Sequence, residues 1–298
     1  MKKDFISIRD LTTKEMREIL LLTDKLKKSP AKYSATLEGK TLALIFQKPS
    51  NRTRVSFEVG MYQLGGNAIY LAPDEINLGV RESIADVAKT LSRYVDAIVL
   101  RTFAHRYLIE LARAATIPVI NGLSDFSHPC QALADIYTIK EKFKGFKGIT
   151  LAYIGDGNNV CNSLLYAAHK IGLQMRVATP KKYEPDKFIL KETESALFHN
   201  ASLAVKDADV IYTDVWVSMG QEKEATERKK IFKEFQVNSK LVKLAKKRCL
   251  IMHCLPAHRG EEITDEVIDS PNSIVFDQAE NRMHAQKAIL IKLLGDNK

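Results

Sequence analysis

A segment rich in arginine and hydroxyl side chains follows the first buried strand that the sequence predicts. It reads Lys48-Pro-Ser-Asn-Arg-Thr-Arg54 and lies between a predicted strand, Thr41–Phe46, and a predicted helix at residues 54–64. Free backbone N–H groups at a helix N-terminus attract anions, and planar guanidinium groups pair well with phosphate oxygens. The segment therefore predicts a phosphate-binding site. An ordinary capped helix with surface arginines would use the same residue types.

Two further segments of the first half could act on an anion or a carbonyl group. Arg101 follows a predicted strand at residues 96–100, where the alternative is a surface arginine. His128 and Gln131 are three residues apart at a predicted helix start, with Pro129 at the first helical position, so both side chains can face one ligand. A neutral histidine can donate a hydrogen bond that polarises a carbonyl. Alternatively, His128 caps its own helix.

Two segments of the second half carry a carboxylate and a thiol at predicted strand ends. Asp214-Val-Trp-Val-Ser-Met-Gly220 supplies a carboxylate for a cationic group, or forms a solvent-facing turn. His253-Cys-Leu-Pro-Ala-His-Arg-Gly260 places Cys254 beside histidines. That thiol could be a nucleophile, could contact a substrate, or could simply be buried.

A third segment of the second half, Gly155-Asp-Gly-Asn-Asn-Val160, resembles the start of a dinucleotide-binding fingerprint. Val160 stands where the third glycine is required, so a nicotinamide-dependent oxidoreductase is disfavoured. Asn158 and Asn159 could instead hold a polar group of a substrate.

Short apolar runs alternate with helical spacing along the whole chain. This alternation predicts an α/β fold of two doubly wound parallel-sheet domains joined by long helices. We expect a first domain at residues 1–144 and a second at 145–280, with a last helix at about 281–298 packing back on the first. The predicted strands are 41–46, 67–71, 96–100, 117–121, 149–154, 174–178, 209–213, 249–253 and 273–276. The predicted helices are 54–64, 82–94, 106–115, 128–143, 159–171, 186–198, 240–246, 264–268 and 278–294.

The composition is that of a soluble globular protein, with 45% hydrophobic and 27% charged residues among 298. The net charge of +9 permits a nucleic-acid partner, but the lysines are spread rather than massed and are not interleaved with aromatic residues. The start of the sequence lacks the apolar run of a signal peptide, and apolar runs are far shorter than the about 20 residues of a membrane span. We therefore expect a cytoplasmic protein with no nucleic-acid or membrane partner.

Four cysteines are present, and none of them is paired in a Cys-x-x-Cys spacing. A zinc site and a disulfide framework are both unsupported. For Cys130, Cys161 and Cys249 we expect buried free thiols.

These segments together resemble the aspartate/ornithine carbamoyltransferases over essentially the whole chain. Ser50-Asn-Arg-Thr-Arg54 is similar to the phosphate-binding Ser-Thr-Arg-Thr-Arg loop of that family, and His128-Pro-Cys-Gln131 to the motif that contacts the carbamoyl group. Asp214-Val-Trp-Val-Ser-Met-Gly220 and His253-Cys-Leu-Pro256 resemble the loops of its ornithine-specific members. The resemblance implies carbamoyl transfer from carbamoyl phosphate to L-ornithine. Acceptors such as putrescine, aspartate or N-acetylornithine are the alternative.

The resemblance also implies a role for each matched residue. The residues expected to bind carbamoyl phosphate are Ser50, Asn51, Arg52, Thr53, Asn77, Arg101, His128, Gln131, Cys254, Leu255 and Arg282. The residues expected to bind ornithine are Asn159, Asp214, Ser218 and Met219. The catalytic residues are expected to be Arg101, His128, Asp214, Cys254 and Arg282.

The family resemblance further implies a homotrimer that needs no metal and no organic cofactor. Asn77 resembles a position that completes the phosphate site of a neighbouring subunit. Asn51 departs from the pattern, because the family usually has threonine there. Since its backbone N–H is retained, we expect a modest effect on carbamoyl phosphate affinity.

Overall fold

The computed structural model describes residues 4–218 and 220–295, which form two compact units. Unit 1 comprises the described residues of Met1–Tyr137 and Glu280–Lys298, and unit 2 comprises those of Thr138–Ala279. Both divisions of the chain fall inside long helices, Pro129–Phe143 and Val275–Leu294. The predicted fold class, two parallel-sheet α/β domains joined by long helices, is confirmed. The sequence-based boundary at residues 144 and 145 stays a prediction.

Unit 1 contains a four-stranded parallel sheet in the order β2-β1-β3-β4. The strands are β1 (Thr41–Phe46), β2 (Asn67–Leu71), β3 (Ala97–Arg101) and β4 (Val119–Leu123). All of β3 and all but the first residue of β1 are buried, as expected for central strands covered on both faces. The strand order reverses between β1 and β3, so ligands are expected at the carboxyl ends of these two strands.

The helices of unit 1 include two, the first and the third, that were not predicted from the sequence. They are α1 (Thr13–Lys28), α2 (Asn51–Gln63), α3 (Pro73–Ile76), α4 (Ile84–Leu91), α5 (His105–Ala114) and α6 (Pro129–Phe143), with 3-10 turns at Ile8–Asp10 and Pro30–Tyr33. A readable signal existed for α1, because Thr12 and Glu15 form a reciprocal capping box at its start. The predicted start of the helix at residue 54 is wrong. α2 begins at Asn51, because the Ser50 hydroxyl accepts the N–H of Thr53 and caps the helix there.

Unit 2 contains a five-stranded parallel sheet in the order β7-β6-β5-β8-β9. The strands are β5 (Thr150–Ile154), β6 (Gln174–Ala178), β7 (Ala196–Phe198), β8 (Val210–Thr213) and β9 (Leu250–His253). The strand order reverses between β5 and β8. The loops that follow these two neighbouring strands therefore border the expected ligand position of this sheet.

Two element predictions in unit 2 are wrong. The helices are α7 (Asn159–Ile171), α8 (Lys187–Thr193), α9 (Ala201–Val205), α10 (Ala225–Phe232), α11 (Ser239–Val242) and α12 (Asp265–Ile268), with 3-10 turns at Glu222–Glu224 and Lys233–Phe235. The last helix, α13 (Val275–Leu294), begins in unit 2, and its residues from Glu280 onward belong to unit 1. The predicted helix 186–198 contains α8 and the edge strand β7, because Glu194 adopts a left-handed conformation (φ 51°) between them. The predicted strand 273–276 makes only a single bridge, from Ser273 to Ile251, before α13 begins. The predicted helix 240–246 ends at Val242, and the other predicted elements differ by a few residues at their ends.

No helix within residues 4–218 and 220–295 is long and apolar enough to cross a membrane.

Candidate functional site

The N-terminus of α2 carries the predicted phosphate-binding residues. Ser50 is the N-cap residue, and its hydroxyl accepts the backbone N–H of Thr53 at 3.2 Å. Asn51 and Arg52 occupy the first turn, and Thr53 is buried. This places hydroxyl, amide and guanidinium groups at a helix end whose N–H groups favour an anion.

Arg282, from α13, connects α2 and α6. Its guanidinium is buried, and it donates to Oε1 of Gln131 (2.7 Å) and to Oγ1 of Thr53 (3.0 Å). The amide of Gln131 donates in turn to Asp135 at 2.8 Å. The structure thus brings together Thr53, Gln131 and Arg282, which are far apart in the sequence.

His128 lies within the electrostatic field of three arginines. It immediately precedes α6 and is buried, and Arg101, also buried, is the last residue of β3. Burial lowers the pKa of His128 well below its usual range, and the positive charges of Arg282, Arg101 and Arg52 lower it further. His128 is therefore neutral at physiological pH. A neutral imidazole retains one N–H that can donate to a carbonyl oxygen.

Two residues singled out from the sequence of unit 1 have other surroundings. Arg54 is exposed, pairs with Glu58 at 2.9 Å and lies over the ring of Tyr70 at 3.7 Å. Asn77 is exposed at the end of α3 in a left-handed conformation, and its backbone N–H bonds back to Pro73. Within the described part of unit 1, Asn77 takes no part in the two hydrogen bonds by which Arg282 joins Gln131 and Thr53.

In unit 2, Asp214 is the centre of a hydrogen-bond network at the carboxyl ends of the parallel strands. It follows β8 and is buried. One carboxylate oxygen accepts from the Cys254 thiol (2.9 Å) and from the backbone N–H of Val215 (2.8 Å). The other accepts from the side-chain amide of Asn158 at 2.7 Å. Asp214 and Cys254, which the sequence analysis singled out separately, are therefore in direct contact at the ends of β8 and β9.

The backbone around Cys254 has an unusual conformation. Leu255 has a positive φ of 58°, and the Leu255–Pro256 peptide bond is cis. The N–H of Leu255 donates to Nδ1 of His253 at 2.8 Å, and Nε2 of His253 lies 3.0 Å from the buried carboxylate of Glu262. These two contacts define the tautomer, because Nδ1 accepts and Nε2 therefore carries the proton.

The remaining predicted acceptor residues follow β5 and β8. Asn159 is the first residue of α7, and Asn158 caps that helix by accepting the backbone N–H groups of Val160 and Cys161. The backbone N–H of Ser218 donates to the Gln221 side chain at 3.1 Å. Met219 lies outside the described residues.

Gly157 is required by chain packing. A Cβ built at Gly157 would lie 2.1 Å from the backbone nitrogen of Pro185 and 2.4 Å from the carbonyl carbon of Glu184. The absence of a side chain at this position therefore allows two backbone segments to touch, which removes the main reason for reading it as a cofactor glycine.

One buried charge pair was missed by the sequence analysis. Arg228, on α10, donates to Asp156 at 2.5 Å and to the backbone carbonyl of Trp216 at 2.6 Å. Burial raises the pKa of Asp156 to about 6 even though Arg228 opposes the shift. Arg228 lies in a lysine-rich stretch that is typical of a solvated helix face. The burial of this arginine was therefore not indicated by the sequence.

The prediction that three of the four cysteines are buried free thiols is confirmed. Cys130, Cys161 and Cys249 are free and buried, and burial raises the pKa of Cys130 and of Cys249 to about 12. Cys254 is partly exposed.

Asp214, His253 and Cys254 hold a carboxylate, an imidazole and a thiol within 4.8 Å of one another, a set that could ligate a metal ion. Both ring nitrogens of His253 already make hydrogen bonds with the protein, so a metal ion would have to displace one of them.

Comparison with known proteins identifies the family. Residues 3–141 match the model for the carbamoyl-P binding domain of aspartate/ornithine carbamoyltransferase, and residues 147–293 match the model for its Asp/Orn binding domain. The ornithine carbamoyltransferase of Pyrococcus horikoshii is 58% identical, over 98% of this chain and 96% of that protein. The relative from Pyrococcus furiosus described as anabolic is 57% identical over the same shares.

Solved structures agree with the family models over the full length. The ornithine carbamoyltransferase of Pyrococcus furiosus superimposes with a TM-score of 0.95 at 56% identity, covering 99% of this chain and 98% of that one. The enzyme of Thermus thermophilus gives a TM-score of 0.92 at 47% identity, covering 99% of both chains. The chain thus belongs to the aspartate/ornithine carbamoyltransferase family.

Proposed function

We propose that this protein transfers the carbamoyl group of carbamoyl phosphate to the δ-amine of L-ornithine, which yields L-citrulline and phosphate. The observation that carries the proposal is the contact of Asp214 with Cys254 beside the Ser218 loop, since these are the residues that resemble ornithine-specific members of the family. Relatives that are 52–58% identical over 98% of the chain are named ornithine carbamoyltransferases.

Unit 1 supplies groups suited to the donor substrate. We assign Ser50, Asn51, Arg52, Thr53 and Arg101 to the phosphate group and His128, Gln131 and Arg282 to the carbamoyl group. Arg282 is held by Gln131 and Thr53, so its guanidinium is oriented before substrate arrives. Preorganised donors of this kind stabilise charge that develops on the carbonyl oxygen and the departing phosphate.

Unit 2 supplies groups suited to the acceptor. The Asp214 carboxylate, together with Asn159, Ser218 and Met219, is assigned to the amino-acid end of ornithine, and Cys254 to contact with the attacking amine. In addition to its contact with the amine, Cys254 is assigned by family resemblance to the carbamoyl group, and so is Leu255. The amine attacks directly, and no covalent intermediate on Cys254 is needed.

The acceptor amine must lose its proton before it attacks. An alkylammonium has a pKa of about 10, so only a small fraction of the free amine is reactive at neutral pH. Activity is therefore expected to rise toward alkaline pH. His128 is neutral in this range and serves as a hydrogen-bond donor to the carbonyl oxygen.

The biological setting belongs to the same proposal. We propose that the protein acts in arginine biosynthesis, because one relative is described as anabolic. The family resemblance supports the further proposal of a homotrimer, which we place in the cytoplasm. Asn77, which is exposed, is proposed to complete the phosphate site of a neighbouring copy.

An acceptor panel tests this function. The purified protein is incubated with carbamoyl phosphate and, in parallel, ornithine, putrescine, aspartate or N-acetylornithine, and the carbamoylated product is identified by mass. Citrulline as the main product supports the proposal. Preferential carbamoylation of another amine would leave the assignments in unit 1 in place and would overturn those of Asn159, Asp214, Ser218 and Met219.

A further inference from the structure

Arg228 is a buried cation with fixed partners on two different loops. Its side chain is 4% exposed. It donates through Nη2 to the carboxylate of Asp156 (2.5 Å) and through Nε to the carbonyl of Trp216 (2.6 Å). A guanidinium can make both bonds at once because its donors point in fixed directions within one plane.

The two partners lie on the loops that border the expected ligand position of unit 2. Asp156 follows β5, and Trp216 follows β8, and these neighbouring strands flank the reversal in strand order. The same two loops are also joined by the hydrogen bond from Asn158 to Asp214. The loop that carries Ser218 is thus connected to the β5 loop at two points.

Aromatic packing fixes the guanidinium further. Arg228 lies 4.7 Å from the ring centroid of Tyr183 and 5.2 Å from that of Phe232. The indole of Trp216 stacks on Phe232, with centroids 6.0 Å apart and an interplanar angle of 30°. Trp216 is therefore held through both its backbone carbonyl and its ring, two residues before Ser218.

We propose that Arg228 and Asp156 are positioning residues for the acceptor amino acid, because they hold the first residues of the loop that carries Asp214 and Ser218. The inference rests on the proposed function, since it concerns how the same acceptor site is kept in shape. It does not place Arg228 in contact with substrate. Loss of the pair should weaken acceptor binding and leave donor binding unchanged, because the residues assigned to the phosphate group lie in unit 1.

The most informative variant is Arg228→Lys. A lysine keeps the positive charge beside Asp156, but its single ammonium group does not reproduce the two-directional bonding to Asp156 and Trp216. Arg176→Lys is the matched control, because Arg176 also donates to backbone carbonyls of unit 2, those of Ala204 and Lys206, which do not belong to the acceptor loop. Losing one charge-assisted hydrogen bond corresponds to about a tenfold change in affinity.

We expect Arg228→Lys to raise the KM for ornithine about tenfold and to leave the KM for carbamoyl phosphate within about twofold of wild type, whereas Arg176→Lys changes neither. Hydrogen exchange of residues 215–218, measured without substrate, should be faster in Arg228→Lys only. A purely structural defect would raise both KM values and the exchange throughout unit 2.

Unchanged ornithine KM together with unchanged exchange at residues 215–218 would overturn the inference. If Arg228→Lys does not fold, Asp156→Asn decides the question, because it keeps an oxygen acceptor and removes the negative charge. A folded Asp156→Asn variant with the wild-type KM for ornithine would equally refute the positioning role. A wild-type protein that makes no citrulline would instead refute the proposed function, and the exchange measurement would still test the anchoring of Trp216.

Discussion

Replacement of Arg282 by glutamine should reduce catalysis strongly while the fold survives. Arg282 is 3% exposed and is held by two hydrogen bonds, 2.7 Å to Gln131 and 3.0 Å to Thr53. Its charge also contributes to the lowered pKa of His128, so it lies within electrostatic reach of that imidazole. Loss of one preorganised donor to a developing negative charge costs about 100- to 1000-fold in kcat, or about 3–4 kcal/mol.

The assay is the rate of citrulline formation at saturating carbamoyl phosphate and ornithine, with the thermal unfolding midpoint measured in parallel. Arg113→Gln is the control, since Arg113 is exposed on α5 of the same unit. We expect a loss of about 100-fold or more for Arg282→Gln and no measurable loss for the control. A folded Arg282→Gln variant that retains more than about one fifth of the wild-type kcat would remove Arg282 from the reacting centre.

Three further predictions concern charge, thiol chemistry and packing. Burial lowers the pKa of His128, so its ring resonances should not titrate between pH 6 and 8. The free energy of unfolding should fall as the pH drops below 6.5, because His128 binds the proton more tightly in the unfolded chain than in the folded one. A His128 resonance that titrates near pH 6.5 would contradict the burial argument. Native protein at pH 7.5 should react with one equivalent of iodoacetamide, at Cys254, because the other three thiols are buried and have raised pKa values. Peptide mapping that finds Cys130, Cys161 or Cys249 labelled in the folded protein would refute this prediction. Gly157→Ala should destabilise the protein by about 3 kcal/mol or more, because the added Cβ would clash with backbone atoms. Gly145→Ala is the control and should be nearly neutral, because a Cβ there would lie in open space. Equal thermal unfolding midpoints for the two variants would contradict the packing at Gly157.

Much of the fold could be predicted because buried parallel strands are continuous apolar runs. β1 and β3 are examples, since their sequences are apolar almost throughout. β7 could not be predicted, because three residues at a sheet edge carry too little pattern and the break before it depends on the backbone of Glu194. The run Ser273-Ile-Val-Phe276 has strand-like composition, but tertiary contacts override it. There, the buried Gln278 of α13 accepts the N–H of His253 and donates to Tyr212.

The candidate site was predictable where a motif is local in sequence. Ser50 and Thr53 belong to one helix start, and the strand-end positions of Arg101 and Asp214 follow from the alternation of elements. Contacts that depend on distant segments were not predictable from spacing. Arg282 reaches Thr53 across 229 positions, and Arg228 reaches Asp156 across 72. Arg282 was suggested only by family resemblance, and Arg228 had no such support.

In the proposed reaction, the carbamoyl group passes directly from carbamoyl phosphate to ornithine. The most direct measurement uses carbamoyl phosphate labelled with carbon-13 and follows labelled citrulline and inorganic phosphate in the same sample. Direct transfer predicts one labelled citrulline for each phosphate released, with phosphate release dependent on ornithine. Phosphate release that does not depend on ornithine, or the label appearing in bicarbonate rather than citrulline, would contradict it.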